Sequence, residues 1–102
     1  MITHYLIIKI QDEHNNDRTI EQIHLLYNEM AQSIKTMHNL QISKNVVQRE
    51  SNSDLMISMD FYNNDDLYSY LEHPLHKSFA KTIGPKLHSK MTFDEISIHG
   101  NQ

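Results

Sequence analysis

Chemistry-bearing side chains crowd together in the stretch Tyr68–Phe79, YSYLEHPLHKSF, where two histidines enclose a Pro-Leu pair and Tyr70 stands three residues before the first of them. A free imidazole titrates near pH 6.5, so a histidine here can take a proton from carbon or oxygen at neutral pH and return it. A phenol stays protonated under the same conditions and can hydrogen-bond a carbonyl or the enolate that develops from it. The stretch is therefore a candidate for proton-transfer machinery built from its histidines and Tyr70. The same residues also have a plainer use. Proline is favoured at the first position of a helix, so His73 can end one helical turn, Pro74 begin the next, and His76 bind backbone at the corner. A metal fits less well, because Pro74 disturbs the regular face that His73 and His76 would need, and His4 or Asp60 would have to complete the shell from elsewhere. No metal and no cofactor are expected.

Other familiar chemistries lack their residues. The chain has no cysteine, which excludes thiolate ligands, disulfides and a cysteine nucleophile. With only two glycines it has no phosphate-cradling loop, no dinucleotide fingerprint and no nucleophile elbow. The paired carboxylates Asp65-Asp66 and Asp94-Glu95 read as a helix cap and as a strand bulge or turn. Nine basic against thirteen acidic residues give a net charge of -4, with no basic run for nucleic acid. The N-terminal apolar run lacks the flanks of a signal peptide and nothing reaches membrane-spanning length, so a soluble, cytoplasmic protein is expected. Eight histidines could swing the charge from about -4 to about +4 on mild acidification. His14, His38, His88 and His99 read as loop or surface residues.

The elements that must hold Tyr70 and His76 follow from periodicity. ITHYLIIKI, Ile2 to Ile10, is β-branched and aromatic and reads as a strand. A helix capped by Asp17 or Thr19 carries one apolar stripe through Ile20, Ile23, Leu26, Tyr27, Met30, Ile34 and Met37, with the Tyr27 hydroxyl at its edge toward water. Leu40–Gln48 and Leu55–Tyr62 read as strands of a hairpin, the second with clean alternation. Asn63 to Asp66 offers caps for a short helix over about 67–71, a second helix starts at Pro74, and Gly84-Pro85 breaks it. KMTFDEISIH closes the chain as a strand whose apolar phase changes between Phe93 and Ile96, which a bulge near Asp94 would explain. Met30, Met37, Met56 and Met59 read as core filler.

The order β-α-β-β-α-β over residues 1–102 predicts one α+β domain of ferredoxin-like fold, an antiparallel sheet with helices on one face. The other face is not left to water. Leu6, Ile8 and Ile10 share one side of the first strand, yet Tyr5 and Ile7 lie opposite them, as do Met56 and Tyr62 in the third strand. A sheet with one wet face alternates more cleanly, so the second face is expected to meet the sheet of an identical subunit.

The segments THYLIIKI, SKNVV, DLMISMDF and LYSYLEHPLHKSF together resemble the stress-responsive dimeric α/β-barrel (Dabb) family over nearly the whole chain, most specifically in Tyr70, His73, Pro74, His76 and Phe79. Ser43 and Ser53 stand where the family commonly has glycine, and both lie away from the histidine segment, so the difference bears on loop geometry more than on chemistry. The resemblance implies a protomer that pairs through its sheet into a dimeric barrel. It also implies a role for the tyrosine and the second histidine, since plant polyketide cyclases of the family use these in an aldol condensation. Those roles fall on Tyr70 and His76, with His4 lining the cavity. The expected function is a homodimeric protein binding a small carbonyl-containing or aromatic metabolite between sheet and helices, with cofactor-free cyclase- or lyase-like acid/base chemistry. His4, Phe79 and His73 are the expected ligand-binding residues. A non-catalytic stress-related homodimer, with the HPLH corner architectural, and a cofactor-independent monooxygenase-like protein are the alternatives.

Overall fold

In a computed structural model that describes residues 1–96, the first strand β1 (Ile2–Ile10) alternates strictly, its even-numbered residues buried and its odd-numbered ones half-buried. The helix α1 (Asp17–Ser33) follows a 3-10 turn, then the strands β2 (His38–Lys44) and β3 (Leu55–Phe61), the helices α2 (Asn64–Glu72) and α3 (Pro74–Ile83), and the strand β4 (Leu87–Ile96). All strand pairs are antiparallel in the order β2-β3-β1-β4, so β1 lies inside the sheet between β3 and β4. Ile8, Ile23, Ile57 and Ile83 are fully buried where the helices meet the sheet. Each contributes about 1.5–3 kcal/mol by leaving water.

Local chemistry moved several expected boundaries. Asn16, not Asp17 or Thr19, caps α1, its side chain accepting from the Thr19 amide. The stripe outlives the helix: α1 stops at Ser33, and Ile34 and Met37 stay buried from the turn that follows. β2 ends at Lys44, short of the expected Gln48, because the Asn52 side chain takes the Val47 carbonyl at 2.9 Å and leaves Val46 92% exposed. β4 begins three residues before the expected Lys90. The expected end of that strand and His99 lie outside the described residues.

The bulge expected near Asp94 is absent. Pairing runs unbroken from Ile2↔Ile96 to Lys9↔Ser89, and the register shifts only between Lys9 and Ile10. The change of apolar phase has a different cause: Ile96 pairs with Ile2 on the helix side, whereas Phe93 and Met91 pair with Tyr5 and Ile7 on the open side. Met56, opposite Ile7 on β3, belongs to that open side and is not core filler, while Met30, Met37 and Met59 are buried as expected. Phe93 is 61% and Met91 67% exposed, which leaves a contiguous apolar face on the uncovered side of the sheet.

Candidate functional site

α2 and α3 meet at a corner that His73 and Pro74 make. His73 caps both helices in an extended conformation (φ -64°, ψ 139°), as the residue before a proline must, and Pro74 supplies the first helical position. The His73 Nδ1 accepts from the Leu75 amide at 3.1 Å, so this ring is spent on capping an otherwise orphaned donor. Three residues on, the His76 Nδ1 lies 3.1 Å from the Leu71 carbonyl, one of the last acceptors of α2. A carbonyl only accepts, so Nδ1 carries the proton and donates it. In the neutral ring Nε2 is then a bare acceptor.

Tyr70 sits one helical turn before the corner, fully buried, with its ring centroid 4.6 Å from that of His76 and 5.6 Å from that of His4. Its hydroxyl is 2.9 Å from the Tyr27 hydroxyl. This overturns the expectation that Tyr27 turns its hydroxyl toward water: Tyr27 is fully buried and packs edge-on against Phe79 at 4.8 Å. Either hydroxyl can be the donor in this pair, and neither has a further hydrogen-bond partner among the described residues; of the two, Tyr70 is the one that lines the cavity. Burial, reinforced by the charge of Asp94 and opposed by the Tyr27 hydrogen bond, pushes the Tyr70 phenol up to about 12. It remains a donor at any physiological pH.

His4 arrives from the middle of the sheet. It is 4% exposed, and its Nδ1 is 2.6 Å from Oδ1 of Asp94, the residue directly opposite it on β4. Asp94, read from the sequence as part of a bulge or turn, is instead the carboxylate that orients a buried imidazole.

His4, Tyr70, His76 and Phe79 line one cavity of about 160 Å³, walled by Leu6 and Leu71 and floored by the sheet. His73 is not among its lining residues. Burial lowers the His76 pKa; the Leu71 hydrogen bond opposes the shift, and nearby His4 and Lys90 deepen it. A neutral base, a protonated phenol and a carboxylate-held imidazole thus share one small apolar space. That arrangement can bind a carbonyl group and move a proton beside it. Among the described residues no group of three or more His, Asp or Glu side chains is placed to hold a metal ion. No described helix is long and apolar enough to cross a membrane. Asp94, Tyr27 and Lys90 escaped the sequence reading because their roles depend on strand register and helix facing, which spacing along one chain does not disclose.

The fold and the site define a ferredoxin-like α+β domain with a cavity enclosed between its sheet and its second and third helices. The chain belongs to the Stress responsive A/B Barrel Domain (Dabb) family, whose sequence profile matches residues 2–97. No curated protein matches it in sequence. Among solved structures it resembles the hydroxynitrile lyase of Passiflora edulis, with TM-score 0.85, 15% identity, and 96% of this chain and 94% of that one covered. A protein of unknown function from Thermobifida fusca, described as dimeric and ferredoxin-like, gives TM-score 0.82, 19% identity, and 94% and 90% covered. A Dabb family protein with a ferredoxin-like fold from Mesorhizobium loti gives TM-score 0.71, 13% identity, and 95% and 96% covered.

Proposed function

We propose that this protein binds a small carbonyl compound in the cavity and acts on it by cofactor-free proton transfer, with His76 as base and Tyr70 as the donor to the carbonyl oxygen. The observation that carries the reading is the division of labour within His76: Nδ1 is tied to the Leu71 carbonyl, which leaves Nε2 as an acceptor in a ring that lines the cavity. His4, held by Asp94, stands across Tyr70 as a second polar wall, and Phe79 supplies apolar contact. An apolar cavity of about 150 Å³ takes up benzene, so a space of about 160 Å³ suits a ligand with a core of one small ring or a short chain.

The test is turnover. Deuterium uptake next to the carbonyl of acetone, acetophenone and acetoacetamide is followed by NMR in heavy water. Mandelonitrile cleavage is added because one structural neighbour is named a hydroxynitrile lyase. The wild-type protein accelerates at least one of these reactions, and His76→Ala loses about 10²–10⁴-fold of that acceleration. No acceleration of any probe, or an undiminished rate in His76→Ala, contradicts the catalytic reading.

The open sheet face supports a second part of the proposal, that two copies pair through it. Tyr5, Ile7, Met56, Met91 and Phe93 form an apolar surface too continuous for a face meant for water, and the Thermobifida fusca neighbour is described as dimeric. Light scattering coupled to size exclusion tests it directly. A monomer at micromolar concentration contradicts it.

A further inference from the structure

Lys90 is the one permanently charged side chain among the described residues that line the cavity. It lies on β4 opposite Ile8, and Thr92 lies opposite Leu6, so the two side chains share the helix-facing side of that strand. Both border the cavity, where the other polar groups are the buried His4 and Tyr70 and the half-buried His76. Lys90 itself is exposed, so it borders the cavity from the solvent side. Among the described residues it has no carboxylate in a salt bridge with it. The salt bridges among the described residues are His4–Asp94 and Lys77–Glu72. Asp94, the acid on the same side of β4, is committed to His4, and Glu95 points to the other face, where the Tyr5 hydroxyl donates to it at 3.0 Å. In a chain with a net charge of -4, an unanswered cation at a cavity rim is a local reversal of sign.

We propose that the ligand of this cavity is a carbonyl compound bearing a carboxylate, an oxo acid, whose anionic group is held at the rim by Lys90 beside the Thr92 hydroxyl while its carbonyl end reaches Tyr70 and His76. The inference rests on the reading of the cavity as a carbonyl-binding site and adds the class of compound. One ammonium and one hydroxyl match a monoanion. A phosphate ester draws on stronger donors, such as an arginine fork, and no arginine is among the described residues that line the cavity. Lys90 is thus a residue that sets specificity and position, and His76 and Tyr70 address the reacting atoms.

Matched probe pairs test this: acetoacetate with acetoacetamide, and benzoylformate with benzoylformamide, titrated into the ¹⁵N-labelled protein. Shifts of amides around the cavity report the dissociation constants. At low salt the wild-type protein binds the acid of at least one pair about tenfold more tightly than its amide. Lys90→Met brings that ratio to about one, Lys90→Arg retains it, and added salt shrinks it in the wild type. Equal affinity for acid and amide in the wild type, or a preference that survives in Lys90→Met, overturns the inference and leaves the carbonyl site standing. Failure of all four probes to bind overturns both.

Discussion

The two buried hydroxyls of Tyr27 and Tyr70 offer a quantitative check on how the site is built. They are 2.9 Å apart, both rings are fully buried, and Tyr27 has no other acceptor among the described residues. Tyr70→Phe removes the one partner of the Tyr27 hydroxyl and leaves it unsatisfied in the core, at a cost of about 1–3 kcal/mol. Tyr27→Phe leaves the hydroxyl of a residue that lines the cavity, where a ligand can take up the lost bond, and costs about 0.5–1.5 kcal/mol. In the double variant no polar group is stranded, so it is no less stable than Tyr70→Phe alone, and the coupling between the two sites is about 1 kcal/mol or more. Urea unfolding of all four proteins at one protein concentration measures the cycle, the fixed concentration removing any contribution from subunit association. For a domain of this size each kcal/mol also moves Tm by about 4–8 °C. If the single costs add to the double cost within about 0.5 kcal/mol, the hydroxyls are not coupled, and the hydrogen bond between them does not hold the site together.

His73→Ala removes the cap on the Leu75 amide and lowers stability by about 0.5–2 kcal/mol in denaturant unfolding, yet leaves cavity binding intact, which separates the two histidines of the corner. Phe93→Lys places a charge in the middle of the open apolar face, and under the proposed pairing sedimentation of this variant shows a shift from dimer toward monomer, whereas Val46→Lys, in an exposed loop, leaves the proposed dimer unchanged. The His76 pKa is lowered in the folded protein, so the unfolded chain binds a proton first as pH falls. Its contribution to stability is therefore complete above pH ~6.5 and is lost as pH drops from there through the folded-state value. Melting curves of the wild type and His76→Gln across that window diverge in slope accordingly. For the same reason, activity that depends on neutral His76 persists to lower pH than an ordinary imidazole would allow.

Much of this architecture is legible in residue spacing. β1 announces itself by composition, α1 by its stripe, and the α2–α3 corner by a proline preceded by a capping residue. The open face was visible too, because Tyr5, Ile7 and Met56 break the alternation that a solvated face would impose. The misreadings cluster where a residue's partner lies far along the chain. Tyr27 looked like a stripe-edge phenol until α2 supplied the Tyr70 hydroxyl 43 residues away. Asp94 looked like part of a bulge until strand register set it against His4, 90 residues earlier. Local spacing left corner and catalytic roles for His76 as alternatives. The fold ties Nδ1 to the corner, and the proposed base role falls to Nε2.

Long-range ¹H–¹⁵N correlation NMR of the imidazoles measures the protonation of each His76 nitrogen at neutral pH. The expected result is a neutral ring with its proton on Nδ1 and a bare Nε2, whose signal moves when a carbonyl ligand is added. A proton on Nε2, or a doubly protonated ring at neutral pH, contradicts a base that faces the cavity.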